Sequence, residues 1–215
     1  MRVLFFAIWV QALLLPVATA QEFLPVGRFS DGQTLGWAQH PFVGETRYSL
    51  VEDGGLRMLA ADSDASASAF YREIAVDLDK TPVLNWSWRV RQRVEPDDET
   101  RKSGDDFSAR VYVVRSGGLA FWNTRAINYV WSYRHARGES WDNPFAGSKA
   151  RMLALRDSND QTGEWRSEKR NVAEDFRKLF GFSPDSIDGV AIMTDTDNTG
   201  QSAGADYGDI YFTAE

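Results

Sequence analysis

The chain has 215 residues, a formal charge of −7, two histidines and no cysteine. Acidity of this degree argues against a nucleic-acid or anionic-membrane binder. The missing cysteine excludes disulfides, thiolate metal sites and a lipid anchor on an N-terminal Cys.

Residues 1–20 read as a signal peptide. Arg2 supplies the positive start, residues 3–15 form an uncharged apolar run, Pro16 breaks it, and Ala18-Thr19-Ala20 offers a cleavage site before Gln21. The alternative, a membrane anchor, needs about 20 apolar residues, and the run is shorter. The expected location is therefore periplasmic or secreted, with no membrane span after cleavage. A chain that is exported without disulfides fits a bacterial envelope. Residues 21–215 are long enough for one domain that stands on its own core.

Beyond the leader the dominant period is two. Strand candidates run over residues 26–29, 48–52, 56–60 and 69–78, with Asp53-Gly54-Gly55 as a turn. Residues 83–91 alternate: Leu84, Trp86, Trp88 and Val90 fall on one face, and Asn85, Ser87, Arg89 and Arg91 on the other. Residues 95–106 are charged and read as an exposed loop. Residues 107–113 again alternate, with Ser108, Arg110 and Tyr112 opposite Phe107, Ala109, Val111 and Val113. Residues 126–133 do the same, setting Asn128 opposite Ile127, Tyr129 and Trp131. Further candidates lie at 150–156, 165–170, 189–194 and 209–213. About ten short antiparallel strands at this spacing predict an all-β sandwich or jelly roll. One helix interrupts them near 171–181. Asn171 caps it with Glu174 three residues on, Val172, Phe176, Leu179 and Phe180 form one stripe, and Gly181 stops it.

Several segments resemble a family of secreted bacterial proteins known as domain of unknown function 3047. They are Trp86-Ser87-Trp88, residues 104–113 beginning Gly104-Asp105-Asp106, residues 126–132, Asn143-Pro144-Phe145, residues 170–181, residues 194–200 and residues 207–212. The resemblance spans residues 86–212. It implies a β-sandwich related in outline to carbohydrate-binding jelly rolls, and it carries no catalytic residues with it.

Two groups of polar residues are candidates for a site. The first is the loop Thr194-Asp195-Thr196-Asp197-Asn198-Thr199-Gly200. Asp195, Asp197, Thr199 and the later Asp206 recur at the spacing of a calcium loop, about 12 residues from first ligand to last. The end residue is Asp where Glu is usual and the preceding segment is strand-like, so the alternative is a polar loop built from Asx turns. The second group is Arg89, Arg110 and Asn128, on the polar faces of three candidate strands. If those strands are neighbours they line one patch, edged by Asp105, Asp106, Asp195 and Asp197. The alternative is an ordinary solvated face with cross-strand ion pairs. Trp86, Trp88 and Trp131 belong to the core pattern, whereas Trp122 and Trp141 lie in loops and are candidates for stacking on a sugar ring.

His40 and His135 are too few for a zinc or Cys/His system, and no Gly-x-Ser-x-Gly elbow, P-loop or dinucleotide fingerprint is present. The leading expectation is a non-catalytic module for a carbohydrate or other envelope polymer, with calcium as a candidate cofactor. On that expectation, alanine at Arg110 weakens ligand retention and leaves stability nearly unchanged. A glycan-acting enzyme with paired carboxylates and a structural protein of the envelope are the alternatives.

Overall fold

In a computed structural model, residues 23–120 and 123–215 are described. The segment read as a signal peptide and Trp122 lie outside them.

The strands are β1 (Phe23–Gly27), β2 (Trp37–Val43), β3 (Arg47–Asp53), β4 (Leu56–Asp64), β5 (Ala67–Asp77), β6 (Val83–Gln92), β7 (Arg110–Arg115), β8 (Arg125–Trp131), β9 (Ser140–Asn143) and β10 (Gly147–Arg156). They continue as β11 (Arg166–Asn171), β12 (Ser186–Met193), β13 (Ser202–Tyr207) and β14 (Ile210–Thr213), with helix α1 (Val172–Phe180) after β11. They make two seven-stranded sheets. The first runs β1-β14-β6-β13-β4-β3, with β11 also on β6. The second runs β2-β5-β12-β7-β8-β10-β9. The protein is an all-β sandwich. The expectation of antiparallel strands holds for most pairs, but β8 and β10 run parallel.

The core between the sheets follows the period-two pattern. Leu84, Trp86, Trp88 and Val90 from β6 meet Val111 and Val113 from β7 and Ile127, Tyr129 and Trp131 from β8, all buried. Trp86 stands edge-on to Trp88 at 5.5 Å and tilts on Tyr129 at 5.4 Å, while Trp88 meets Trp131 at 5.9 Å. Such offset aromatic contacts add about 1 kcal/mol each beyond the area they bury.

Helix α1 ends as its sequence predicts. The Asn171 side chain accepts from the Glu174 amide at 3.1 Å, and Gly181 takes φ of 81°. Val172 and Phe176 enter the main core, and Asp175 accepts from the Tyr129 hydroxyl at 2.9 Å.

Three strands escape the sequence pattern. β2 contains Pro41 and follows Gly36, punctuation that reads as loop; it lies at the sheet edge, where a strand tolerates proline. β13, Ser-Ala-Gly-Ala-Asp-Tyr between β4 and β6, has little bulk before Tyr207 and so shows no apolar alternation. β9 is only four residues long. Nor is the charged segment 95–106 an open loop. Glu99, Gly104, Asp105 and Asp106 are buried within it.

Candidate functional site

Alternation along β7 turns Val111 and Val113 into the core, so Arg110 and Tyr112 point out of the second sheet on its far side. Cross-strand register extends this outer face. One row is Tyr71, Ala191, Tyr112 and Asn128; the next is Glu73, Gly189, Val114, Ala126 and Ala150. On the other side of the first row come Ala69, Met193, Arg110 and Val130. The small residues of β12 lower the middle of this face. A trough of about 460 Å³ results, and Asp105, Arg110, Tyr112, Asn128, Asn143, Asp195 and Asp197 are among its lining residues. A second depression of about 620 Å³ follows on the same face, with Tyr71, Glu73, Val114, Asp188 and Ala191.

One wall of the trough has its own small core. Phe107, Val130, Met152 and Ala154 are buried together, with Trp141 against them. The Arg110 guanidinium lies over the Phe107 ring at 4.4 Å. Loop 95–106 returns to this wall through Glu99, which accepts from the Ser132 hydroxyl and from the Tyr133 amide at 2.6 Å. Gly104 lets the loop fold tightly, since a Cβ there would stand 2.4 Å from the Asp98 carbonyl oxygen. Asp105 follows at once.

Arg110 and Asp195 form a two-pronged ion pair. Arg110 Nε donates to Asp195 Oδ1 at 2.8 Å, and its Nη2 reaches Asp195 Oδ2 and the Asp105 carbonyl. Its Nη1 meets Asp105 Oδ1 at 3.4 Å, and Asn143 Nδ2 donates to Asp105 Oδ2 at 3.2 Å. Asn143 is itself fixed by an Asx turn, its Oδ1 accepting from the amides of Phe145 and Ala146. Asp195 is set at the end of β12 by its amide bond to the Phe107 carbonyl at 3.2 Å. Asp106 takes the amides of Asn198 and Thr199 at 3.2 and 2.6 Å.

The charges do not balance. Arg110 pairs with Asp105 and Asp195, while Asp106 and Asp197 lie against Asp195 with no ion pair to Arg110. Burial pushes the Asp105 carboxyl up; Arg110 and Asn143 oppose this and Asp106 adds to it. Asp197 is pushed up by burial and by Asp106. Asp195 is raised by burial against the pull of Arg110; Arg110 is raised because its burial is outweighed by Asp195, Tyr112 and Asp105 together. An ion pair with surplus carboxylates around it accounts for both directions.

The structure thus brings Arg110, Asn128, Asp105, Asp195 and Asp197 to one trough, with Asp106 beside it. It does not bring Arg89 there. Arg89 lies on β6 and leaves the first sheet on the opposite side of the sandwich, bonded to Asp206 at 2.9 Å and Asp53 at 3.0 Å. Two arginines on polar faces of different sheets look alike in sequence, because alternation gives the face and not the sheet. The same contact corrects the candidate calcium set. Asp206 is a residue of β13 clamped by Arg89 and Arg91, not a loop ligand near Asp195. The carboxylates that do meet are Asp106, Asp195 and Asp197, each offering an oxygen within 4.8 Å of the others. Thr199 Oγ1 is buried without a partner. Trp141 is also displaced from its expected role: it donates to the Glu99 carbonyl at 3.2 Å and stacks on His135 at 3.8 Å, packed on the wall and not lining the trough.

Sequence reasoning placed neither Phe42 nor Phe145 at the site, although Phe145 stands in a family motif; both line the trough, 61% and 57% exposed. Phe42 sits in the unrecognised β2, and Phe145 follows the Asn143 turn. Asn128, only 1% exposed, has its Oδ1 buried without a partner.

Fold and site together define a β-sandwich protein with an acid-rich trough on the outside of one sheet. The chain belongs to the family described as protein of unknown function, DUF3047, whose model matches residues 35–211 and so reaches further toward the N-terminus than the motifs at 86–212. No functionally curated protein matches the sequence. Among solved structures it is similar to the carbohydrate recognition domain of Emp47p, with a TM-score of 0.48 and 11% identity over 93% of this chain and 100% of that one. It is also similar to the xyloglucanase domain of NopAA, a type three effector from Sinorhizobium fredii, at 0.47 and 10% over 83% and 94%. A family 29 carbohydrate-binding module follows at 0.43 and 8% over 91% and 93%. These are likenesses of outline only.

Proposed function

We propose that this chain is an exported, non-catalytic module that binds a carbohydrate or related envelope polymer in the trough of the second sheet. The observation that supports this reading is the pairing of exposed rings with buried polar groups in one concavity. Phe42 and Phe145 stand at the surface, and Asn128 waits below with an unpartnered polar end. A sugar ring has matching parts: apolar C–H faces for aromatic stacking and hydroxyls for polar groups. Export is supported by the leader-like residues 1–20. The test is affinity electrophoresis of the mature chain through a panel of polysaccharides, beside Phe42→Ala and Phe145→Ala. Retardation by at least one polymer, reduced in both variants, is expected. Free migration through every polymer would end this reading.

A second reading is a glycan-cleaving enzyme. What favours it is that two carboxyls lining one trough, Asp105 and Asp197, are both raised by burial, the direction a general acid needs. It predicts soluble oligosaccharide products that disappear in Asp197→Asn. Polymer retention without product release decides for the binding module.

A further inference from the structure

We propose that the glycan held in this trough carries free amino groups, so that the ligand is an amino-sugar chain bound as ammonium. The inference rests on the glycan reading above and goes on to name the class of sugar. It comes from the unequal supply of donors and acceptors. Asp105, Asp195 and Asp197 line the trough, and Asp106 lies against the last two. Arg110 is the only basic side chain among the lining residues, and its Nε, Nη1 and Nη2 are already engaged with Asp105 and Asp195. It is also buried, so it offers no free fork to a ligand carboxylate.

Two of the three side-chain amides that line the trough are turned inward. Asn143 Nδ2 bonds Asp105, and Asn198 Nδ2 bonds Asp197 at 2.8 Å. What the trough presents is an excess of acceptors: carboxylate oxygens, with the unpartnered Asn128 Oδ1 on the floor. The adjoining depression carries Glu73 and Asp188 beside Arg72, whose Nη1 is bonded to the Val26 carbonyl. A uronate or other acidic sugar would meet like charge at these carboxylates; the one described cation over a lining ring, the Lys102 ammonium 5.1 Å from Phe145, is not itself among the lining residues. A neutral sugar would gain hydroxyl bonds but leave the surplus charge unmatched. An ammonium supplies up to three N–H donors and one positive charge to the carboxylates, in a partly desolvated place where charge-assisted bonds are strong. Asp197 is the least buried of the four carboxylates and so the one most open to receive it.

The experiment is titration calorimetry of the mature chain at pH 7. The ligands are glucosamine oligomers, N-acetylglucosamine oligomers of the same length, cello-oligosaccharides and galacturonate oligomers. Glucosamine oligomers are expected to bind at least about tenfold tighter than the other three. Asp197→Asn should remove most of that preference, while Glu174→Gln, an exposed carboxylate on α1, should leave it intact. Equal or tighter binding of neutral or acidic oligomers overturns the inference and leaves the glycan reading standing. Preference retained in Asp197→Asn, or lost equally in Glu174→Gln, overturns the site assignment in favour of general attraction to an acidic protein. N-acetylated oligomers that bind tightly only with added calcium overturn it in favour of a metal on the carboxylates. Binding of no oligomer at all removes both readings.

Discussion

Arg110 and Asp195 are locked together at the floor of the trough, with Nε 2.8 Å from Oδ1 and both side chains at most 3% exposed. This geometry changes what a substitution at Arg110 should do. The sequence suggested a surface arginine whose loss would affect ligand and spare stability. In the fold, alanine there would strand Asp105 and Asp195 in a buried place without their cation. Removing one partner of a buried pair costs about 3–5 kcal/mol. For a domain of this size that is a fall of roughly 6–20 °C in melting temperature. Asp195→Asn removes a surplus negative charge along with the pair, so its cost should be clearly smaller. Thermal unfolding of the two variants checks the order. An Arg110→Ala protein as stable as the parent would show that the network is not formed.

Phe42 and Phe145 invite the opposite experiment. Both are more than half exposed, so truncation removes little buried area. Alanine at either should change stability by less than about 1 kcal/mol. Glycan retention should weaken several-fold at each, because a stacked ring contributes about 0.5–1.5 kcal/mol beyond its area. Retention unchanged in the double variant would move the ligand off this face.

How much of this was legible follows from which signals are local. The faces of β6, β7 and β8 could be read because a side chain's direction depends only on parity. Trp86, Trp88 and Trp131 are core for that reason. Helix α1 could be read because Asn171 and Gly181 act within one turn of its ends. The meeting of Arg110 with Asp195 was accessible in part, since both sat in marked segments. The separation of Arg89 from Arg110 was not, because it depends on which sheet β6 joins, a long-range choice. β2 was hidden by Pro41, which only an edge position tolerates, and with it went Phe42. β13 was hidden by its small residues, and so Asp206 passed for a loop ligand. Buried Glu99 could not be told from its exposed neighbours, since the composition of residues 95–106 gives no sign of the bond to Ser132.

Stability should rise on mild acidification. Burial raises Asp105, Asp197 and Glu99 above their ordinary values of 3.8 and 4.5. A group raised in the folded state binds its proton more tightly there. Its contribution is therefore complete below the ordinary value and is lost as pH rises through the folded one. Other carboxylates act in the reverse sense. Asp62 is lowered because hydrogen bonds from Arg91 and Arg47 outweigh its burial, and Asp98 is lowered by Thr100, so their contributions vanish as pH falls below 3.8. Relief of the net charge of −7 works in the same direction as the raised groups. The melting temperature should climb as pH falls from neutrality toward the ordinary carboxyl values and fall again below 3.8, as Asp62 and Asp98 take up protons. Glu99→Gln should flatten the climb. A curve that is flat or descends as pH falls from neutrality to 4.5 would contradict the burial of these carboxyls.

Gly104 offers a test of the trough from outside it. Its missing side chain is what lets the backbone pass the Asp98 carbonyl; a Cβ would come within 2.4 Å of that oxygen and 2.9 Å of its carbon. The neighbouring contacts are backbone on both sides, including the Gly104 amide to the Arg101 carbonyl at 3.0 Å, so no flexible side chain can yield. Alanine there should push the turn outward and carry Asp105 away from Arg110 and Asn143. The expected cost is about 1–3 kcal/mol in stability, from strain and from the weakened buried network. Ligand affinity should drop as well, although residue 104 does not line the trough. Asp105→Asn separates the two effects. It keeps the turn and removes the charge, so it should lower affinity for a cationic glycan with a smaller loss of melting temperature. If Gly104→Ala melts and binds like the parent, the loop does not hold Asp105 in place, and its position must come from Arg110 and Asn143 alone.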